Sequence, residues 1–372
     1  MIYRPTAAQI DLAAIRDNLK AIRRCLPPGT EVIGIVKADA YGHGAVRVAE
    51  VLEQERIRLL AVATPDEAVE LREAGIMTEI LVLGHTTPDF VQYAINNNIT
   101  LTTDGHATSV LYAAAAQPGR IRLHYKVDTG MGRAGVLADT ATDQILQSAA
   151  LGNIDIVGLY SHLASAESDP ELTARQTERF SAIVRDVRAA GLRPAMVHLA
   201  NSAGIFTVHG GPLDGVRPGI LLYGLPPAAG LAQACPVRPS LSLVTRLEVV
   251  KDLPAGHGIG YGRTFVTQRP TRMGLIPIGY ADGYPRSLSN RANVLVRGRL
   301  VPVVGRVSMD VAAIDVTDVP AAVPGDLVTL IGEQDGLSIT AAQLAELAGT
   351  IAYEIITGIS KRVPRIYTDR LP

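Results

Sequence analysis

Eight short β-type runs recur through the first 223 residues, and this repetition most constrains the fold. Most are separated by helix-like segments such as "PDEAVELREAG", in which Thr64 and Pro65 read as an N-cap and a first-turn proline. Several runs are continuously apolar, as expected of strands covered on both faces. The pattern predicts an α/β fold with an N-terminal (β/α)8 barrel, and a doubly wound open sheet is the alternative. The runs occupy residues 32–37, 58–63, 79–84, 99–103, 121–127, 155–162, 195–201 and 215–223.

The pattern changes at "YGLPPAAGLAQACPVRP", residues 223–239, which reads as a linker rich in proline, glycine and alanine. After it come strand-like runs and turn signals with little helix, until a short helical stretch near the end of the chain. We therefore predict a barrel over residues 1–235 and a mainly β domain over residues 236–372.

Charge and composition exclude several classes of function. The formal net charge is −1, from 35 basic and 36 acidic residues, so no electrostatic bias indicates nucleic acid or an anionic membrane surface as a partner. No apolar run is long enough to span a membrane, and no signal peptide is visible. The two cysteines, Cys25 and Cys235, lack metal-type spacing. We expect a cytoplasmic protein with structural thiols and no metal.

Lys37 ends the apolar run "VIGIVK". In a barrel of this type, catalytic groups come from the carboxyl ends of the strands. A lysine at a strand edge can simply extend its ammonium into solvent. Partial burial would instead lower its pKa and free the amine to form a Schiff base with a carbonyl substrate or with pyridoxal phosphate.

A phosphate group would need backbone N–H groups and hydroxyls after the seventh and eighth runs. The segment "HLANSAG" offers Ser202, and "VRPGI" offers Gly219 and Ile220, where the absence of a Cβ allows close approach. Tyr41 could add its hydroxyl. Taken alone, each signal is weak, because an Asn-Ser pair before a helix is usually only a cap.

Three further side chains are candidates. Arg217 in the eighth run can only donate hydrogen bonds, so at a pyridine nitrogen it would leave that nitrogen unprotonated, and His162 could orient it. Arg133 follows a glycine-rich stretch that permits a tight loop, although it could be a solvated loop residue. Tyr261 stands between glycines in the β-rich region, where an aromatic residue is often only part of a turn.

Taken together, motifs from both regions resemble those of bacterial alanine racemases. They follow one another in order over nearly the whole chain, and their combination is far more specific than any one of them. They are "VIGIVKADAYGHG", "KVDTGMGRAG", "YSHLA", "HLANSAG", "GVRPGILLYG", "GYGRTF", "IPIGYADGYPR", "VGRVSMD" and "TIAYEI".

The resemblance implies an isomerase that interconverts L-alanine and D-alanine with pyridoxal 5'-phosphate and supplies D-alanine for peptidoglycan. It implies a head-to-tail homodimer in which the β-domain of one chain contributes to the partner's active site. Lys37 would carry the cofactor and act as base for the D-enantiomer, and Tyr261 would serve the L-enantiomer.

The resemblance also implies roles for the other residues. Phosphate binding would fall to Tyr41, Ser202, Gly219, Ile220 and Tyr353, while Arg217 would face the pyridine nitrogen with His162 beside it. Arg133 and Met309 would contact the substrate, Tyr280 and Arg306 would line the entry channel, and Lys126 occupies a position that is carbamylated in some members. Two residues depart from the family pattern, namely Gly260 in place of Ser and Glu167 in place of Asp.

Alternative functions remain on the same fold. A racemase of serine or of a broader range of amino acids would share these motifs. A decarboxylase of basic amino acids would generally place an acid at the pyridine nitrogen, and Arg217 argues against it. A pyridoxal-phosphate carrier without turnover would lack the β-domain that residues 240–372 supply.

Overall fold

The computed structural model describes residues 4–369 apart from residues 209, 212 and 232. The chain divides into two compact units. The first, called here the barrel unit, comprises Ile15–Ala40 and Ala45–Arg238. The second, the β-rich unit, comprises the described residues of Met1–Ala14, Tyr41–Gly44 and Pro239–Pro372. The predicted division at residue 235 stays a prediction.

The regular elements are numbered along the chain. The strands are β1 (Ala7–Asp11), β2 (Glu31–Val32), β3 (Gly34–Ile35), β4 (Leu59–Val62), β5 (Glu79–Val82), β6 (Ile99–Thr103), β7 (Ile121–Asp128), β8 (Val136–Leu137), β9 (Ile154–Tyr160), β10 (Met196–His198), β11 (Gly215–Val216), β12 (Leu241–Arg246), β13 (Val249–Leu253), β14 (Gly258–Ile259), β15 (Phe265–Val266), β16 (Thr271–Ile276), β17 (Asn293–Val296), β18 (Arg299–Val304), β19 (Ala312–Asp315), β20 (Leu327–Gln334), β21 (Leu337–Ile339) and β22 (Arg365–Thr368). The helices are α1 (Leu12–Arg24), α2 (Lys37–Gly42), α3 (Ala45–Gln54), α4 (Pro65–Glu73), α5 (Val91–Asn96), α6 (His106–Ala115), α7 (Ala138–Ala149), α8 (Pro170–Ala189), α9 (Gly204–Thr207), α10 (Ala341–Ala348) and α11 (Ala352–Thr357).

The main sheet of the barrel unit is parallel and closed. Its strand order is β2-β11-β10-β9-β7-β6-β5-β4-β3. Only Ile33 separates β2 from β3, so both ends of this order belong to one segment of chain. The predicted barrel is therefore confirmed, and the open sheet is excluded. Each of the eight predicted runs overlaps with at least one strand of this sheet.

Local sequence explains the alternation of strands and helices. All four residues of β4 are buried, because a barrel strand faces packed side chains inside and helices outside. At the following helix, the Thr64 hydroxyl accepts a hydrogen bond from Glu67 N, and the Glu67 carboxylate accepts one from Thr64 N. This capping box, with Pro65 in the first turn, starts α4 where the sequence predicts it.

The β-rich unit contains the second large sheet, in the order β13-β16-β19-β18-β17-β20-β12-β1-β22. The predicted mainly β character of the C-terminal region is confirmed. The N-terminal strand β1 pairs antiparallel with β12 and parallel with β22, so it belongs to this sheet and not to the barrel. None of the described helices combines the length and apolar character needed to cross a membrane.

Helix α2 is a left-handed turn. Its residues 38–41 have φ between 51° and 55°, although none of them is glycine. Such a conformation costs roughly 1–2 kcal/mol per residue. In the barrel unit, the Glu67 carboxylate accepts from Ala38 N at 2.6 Å, and the Asp39 carboxylate accepts from Ala45 N at 2.8 Å. These bonds help to hold the strained backbone that begins at Lys37.

Gly42 ends this turn and belongs to the β-rich unit, where a Cβ at its position would lie 2.3 Å from the Ile356 carbonyl oxygen. We expect Gly42→Ala to lower the free energy of unfolding by about 3 kcal/mol or more, from overpacking added to backbone strain. Gly349→Ala is the matched control, because Gly349 also has a positive φ but a Cβ there would have no neighbouring atom within 4 Å, and it should cost only about 1 kcal/mol. Equal melting temperatures for the two variants would contradict this expectation.

Candidate active site

Basic side chains gather at the carboxyl ends of the barrel strands. Lys37 follows β3, Lys126 lies near the end of β7, and Arg217 follows β11. Burial, followed by the positive charge of Arg133, lowers the pKa of Lys37 and lowers that of Lys126 to about 8. The cluster therefore favours neutral amines and an anionic ligand.

The Arg217 guanidinium is buried, and its described partners are all neutral. Nη1 bonds His198 Nδ1 at 2.6 Å, and Nη2 donates to the Ser161 and Leu199 carbonyls at 2.7 and 2.9 Å. Burial lowers its pKa to about 10, which still leaves it protonated at neutral pH. Within the described part of the chain its Nε donates no hydrogen bond. A donor is thus left for a ligand that can accept.

A chain of neutral imidazoles continues from Arg217 into the barrel. Arginine can only donate, so His198 Nδ1 accepts and the proton of this imidazole lies on Nε2. That Nε2 lies 2.9 Å from His124 Nδ1 and donates to it. Burial lowers the pKa of His124 to about 3 and that of His198 well below its usual range. The Tyr160 ring stacks on His198 with centroids 4.8 Å apart and fixes its plane.

His162 reaches Arg217 from the loop after β9, and β10 lies between β9 and β11 in the sheet. Its Nδ1 lies 3.1 Å from Arg217 Nη2, so it also accepts from the guanidinium. Burial, followed by the charge of Arg217, lowers the pKa of His162 to about 3. Gln176 of α8, itself fully buried, donates to the His162 carbonyl at 3.0 Å and accepts from Ala164 N at 2.9 Å. This amide fixes the loop that carries His162.

Asp128 shapes the glycine-rich loop that carries Arg133. Its carboxylate accepts from the backbone N–H groups of residues 130, 131, 132 and 133, at 2.8–3.2 Å. Burial alone would raise the pKa of Asp128, but the four N–H groups outweigh it and hold the pKa below its usual range. The backbone N–H of Arg133 is one of these four donors. Asp128 therefore fixes the loop position from which the exposed Arg133 side chain extends.

The loops after β10 and β11 provide N–H groups suited to a phosphate. Gly219 and Ile220 are buried, yet their amides donate no hydrogen bond to any described residue. The Ser202 hydroxyl is also buried and accepts from Leu221 N at 3.3 Å, which leaves its proton free to donate. The positive cluster and these unused donors fit an anionic group that carries a phosphate.

Among the described residues, no group of three His, Cys, Asp or Glu side chains could hold a metal ion. The basic groups and hydroxyls of this cluster are not a metal-ligand set.

Other predicted site residues belong to the β-rich unit. The rings of Tyr41 and Tyr353 lie 6.0 Å apart, and burial raises the pKa of Tyr41 above its usual value. Tyr261 is 74% exposed in the turn between β14 and β15. Gly260 before it has φ 68° and ψ −170°, a region that glycine alone adopts readily. A Cβ there would lie 3.4 Å from Arg306 N, so this turn packs on the segment that carries Arg306.

The segments that carry Tyr280 and Met309 are joined by backbone hydrogen bonds. Tyr280 N donates to the Ser308 carbonyl, and Ala281 N donates to the Met309 carbonyl, each at 3.0 Å. Both side chains are exposed. The turn that follows Tyr280 is fixed by the buried Asp282. Its carboxylate accepts hydrogen bonds from Arg4 Nη1 and Nη2 at 2.5 and 2.6 Å.

Comparison with known proteins identifies the family. Two family models match, described as the N-terminal domain of alanine racemase over residues 10–227 and the C-terminal domain over residues 240–367. The chain belongs to the alanine racemase family. The alanine racemase of Halothermothrix orenii is 43% identical over 100% of this chain and 98% of its own length. That of Symbiobacterium thermophilum is 44% identical over 98% of this chain and 97% of its own.

Solved structures agree with this assignment. An alanine racemase from Clostridium difficile 630 superposes with a TM-score of 0.94 at 35% identity, over 99% of this chain and 97% of that one. The Bacillus anthracis alanine racemase with bound L-Ala-P superposes with a TM-score of 0.93 at 37% identity, over 99% and 96%. The predicted family, the fold class and the prediction of an isomerase of the alanine racemase class are confirmed. The roles of the individual site residues stay predictions.

Four residues that position the cluster were missed from the sequence, namely His124, Asp128, Gln176 and His198. His198 opens the quoted segment "HLANSAG", and Asp128 lies within "KVDTGMGRAG", so both belong to motifs that carry the resemblance. An inward-facing polar residue on a barrel strand is the signal that could have identified His124 and His198. Gln176 gives no such signal, because a glutamine in a long helix is usually exposed.

The neutral histidines predict a pH dependence of stability. In the unfolded chain a histidine has a pKa near 6.5, while in the native barrel burial lowers the pKa of His124 and of His162 to about 3. The unfolded state therefore binds more protons below pH 6.5, and stability falls as the pH decreases. We expect the melting temperature to fall steadily from pH 7 to pH 5. A melting temperature that stays constant over this range would contradict neutral burial of these rings.

Asp128→Asn tests the anchoring of the glycine-rich loop. The amide has one acceptor oxygen and no charge, so several of the four N–H bonds weaken or are lost. We expect the free energy of unfolding to fall by about 2–4 kcal/mol, measured by urea denaturation. Asp143→Asn, at an exposed position on α7 of the same unit, is the control and should change stability little. Equal losses in both variants would mean that the loop does not depend on Asp128.

Proposed function

We propose that this chain interconverts L-alanine and D-alanine with pyridoxal 5'-phosphate as cofactor. Family membership supports the reaction, since its full-length relatives are named alanine racemases. Two observations together support pyridoxal 5'-phosphate as the cofactor. Lys37 has a lowered pKa, and the buried Arg217 has an Nε that is free to donate. Unused N–H groups at Gly219 and Ile220 add a place for phosphate.

Each residue of the cluster has a task in holding the cofactor. Lys37 would attach to it covalently, because burial and neighbouring positive charge favour the neutral, nucleophilic amine. The phosphate would be bound by the Gly219 and Ile220 amides and the Ser202 hydroxyl, with Tyr41 and Tyr353 as further donors. When bound, the cofactor withdraws electrons from the α-carbon of an attached amino acid and so acidifies its proton.

Arg217 limits how far that electron withdrawal goes. It stays protonated and can only donate, so a pyridine nitrogen that it faces is left without a proton of its own. The acceptors on His198 and His162 hold the guanidinium in one orientation, and His124 accepts the hydrogen bond that this tautomer of His198 donates. This arrangement favours returning a proton to the α-carbon over side reactions that need a stronger electron sink.

Racemisation needs a proton removed from one face of the α-carbon and another delivered to the opposite face. Two bases on opposite faces do this, each serving as the acid for the other. We assign Lys37 Nζ to the D-enantiomer and the Tyr261 hydroxyl to the L-enantiomer. Arg133 and the Met309 backbone would bind the substrate carboxylate, and Tyr280 with Arg306 would line the entry channel.

The remaining features of the proposal concern the assembly and its setting. Lys37 and Tyr261 belong to different compact units, and we propose a head-to-tail homodimer in which the β-rich region of one chain completes the partner's site. A carbamate on Lys126 would neutralise its positive charge and pair with Arg133. We place the enzyme in the cytoplasm, where its product would enter peptidoglycan synthesis.

The first experiment tests reaction and cofactor together. Purified protein is supplied with pyridoxal phosphate and single enantiomers of alanine, serine and lysine, and the opposite enantiomer is measured by chiral chromatography. Parallel samples are reduced with borohydride and mapped by mass spectrometry. We expect alanine to be converted fastest and the pyridoxyl label to lie on Lys37. Lys37→Ala should reduce turnover at least about 10³-fold, whereas Lys20→Ala, at an exposed position on α1, should not.

The outcomes separate the alternatives. Faster conversion of serine would indicate a racemase of different specificity, and label without turnover would indicate a carrier. A label on a lysine other than Lys37 would refute the assignment of the covalent residue.

A mixing experiment tests whether sites are shared between chains. We expect Lys37→Ala and Tyr261→Ala each to be inactive, and their subunits are allowed to exchange. If each site combines residues of two chains, one site of every mixed dimer keeps both bases. Random pairing at equal amounts makes half of the dimers mixed, so roughly a quarter of wild-type activity should return. Heterodimers that form but stay inactive would place both bases in one chain.

A further inference from the structure

The two cysteines of the chain, 210 positions apart in sequence, meet in the barrel unit. Cys25 immediately follows the end of α1, and its Sγ lies 3.6 Å from the carbonyl oxygen of Ala234. That carbonyl belongs to the peptide bond that joins Ala234 to Cys235. The Cys25 side chain also lies close enough to Cys235 to raise the pKa of the Cys235 thiol. Nothing in the proposed reaction uses either sulfur atom.

The backbone around this pair is already fixed in register. Asn18, on the buried side of α1, donates to the Arg238 carbonyl and accepts from Arg238 N, each at 2.9 Å. Its amide also donates to the Leu222 carbonyl at 3.1 Å. Helix α1 is therefore docked on both ends of the segment that contains Cys235. A disulfide would therefore join two segments that are already docked on each other.

The two thiols differ in access. Cys25 is partly exposed, and its Sγ also lies 3.3 Å from the Ala21 carbonyl. Cys235 is 1% exposed, and burial, followed by the neighbouring Cys25 side chain, raises its pKa to about 12. An oxidant from solution therefore reaches Cys25 first, and Cys235 is the second, resolving thiol.

We propose that Cys25 and Cys235 form a reversible disulfide, with a low-molecular-weight disulfide such as oxidised glutathione as the oxidant. The Cys25 thiolate attacks one sulfur of the oxidant, forms a mixed disulfide and releases the first thiolate. Cys235 then loses its proton to solvent and attacks Cys25 Sγ, which releases the second thiolate. The two protein thiols are oxidised by two electrons, and one molecule of the small disulfide is reduced to two thiols.

The first step assists the second. Once Cys25 is in a mixed disulfide, it can no longer form a thiolate beside Cys235. The two contributions of Cys25 that raise the pKa of Cys235 are then removed, which leaves burial, opposed by the positive charge of Arg24. The sulfur that Cys235 must attack is the one that already lies beside it. The disulfide would tie the end of α1 to the segment that leads from the barrel unit to Pro239.

The test uses the folded full-length protein with its cofactor. Fully reduced protein is equilibrated with mixtures of reduced and oxidised glutathione, alkylated and digested without reduction. We expect one peptide pair linked through Cys25 and Cys235, lighter than the two free peptides by about 2 Da, the mass of two hydrogens. We also expect the melting temperature to rise by several degrees on oxidation and to return on treatment with dithiothreitol.

Two variants separate the steps. Cys235→Ser should keep a glutathione adduct on Cys25, and Cys25→Ser should take up none. Neither should show the rise in melting temperature. As a further comparison, the linkage should form at a ratio of oxidised to reduced glutathione at least about 10-fold lower in the native protein than in urea, because the native fold holds the sulfur atoms together.

Three results would overturn the proposal. They are a wild-type protein in which glutathione stays on Cys25, cysteines that remain free throughout the redox range, and a linkage that joins two different chains. The mapping does not depend on turnover, so its outcome is independent of the proposed racemase activity.

Discussion

A buried guanidinium whose partners among the described residues are all neutral is the constraint on which the rest of the cluster depends. Arg217 must place its donors on neutral acceptors, and the barrel supplies carbonyl groups and two imidazole nitrogens. Those imidazoles can accept only while they are neutral, and burial keeps them so. Because His198 accepts on one nitrogen it must donate from the other, and His124 receives that proton. A single positive charge thereby fixes the tautomers of several buried rings.

Burial and neighbouring charges also set the protonation state of Lys37. Burial and the charge of Arg133 disfavour the ammonium form of Lys37, whereas the Glu67 carboxylate favours it. Glu67 also accepts hydrogen bonds from the left-handed turn and from the backbone just before α4. One acidic side chain thus supports the strained backbone and moderates the charge of the cluster. Strain of this kind persists only where surrounding contacts determine the backbone completely, and such places are frequently functional.

The sequence was sufficient for the barrel because hydrophobic runs and helix caps are local signals, as the start of α4 at Thr64 shows. It was also sufficient for the family, because motifs in both regions occur in the family's order. It did not reveal that β1 joins the C-terminal sheet, since strand pairing across hundreds of residues leaves no local pattern. The left-handed turn at residues 38–41 was equally hidden, because none of these residues is glycine.

The placement of β1 has a consequence for the order in which the chain folds during synthesis. The barrel unit is built almost entirely from one continuous stretch that leaves the ribosome before residue 239. Strand β1 is made before the barrel unit, yet its partners β12 and β22 are made after it. It must therefore wait, with unpaired edges, until the strands that follow the barrel unit have been made. Its five residues are almost wholly buried once paired, so a nascent chain needs protection of this short apolar segment during that interval.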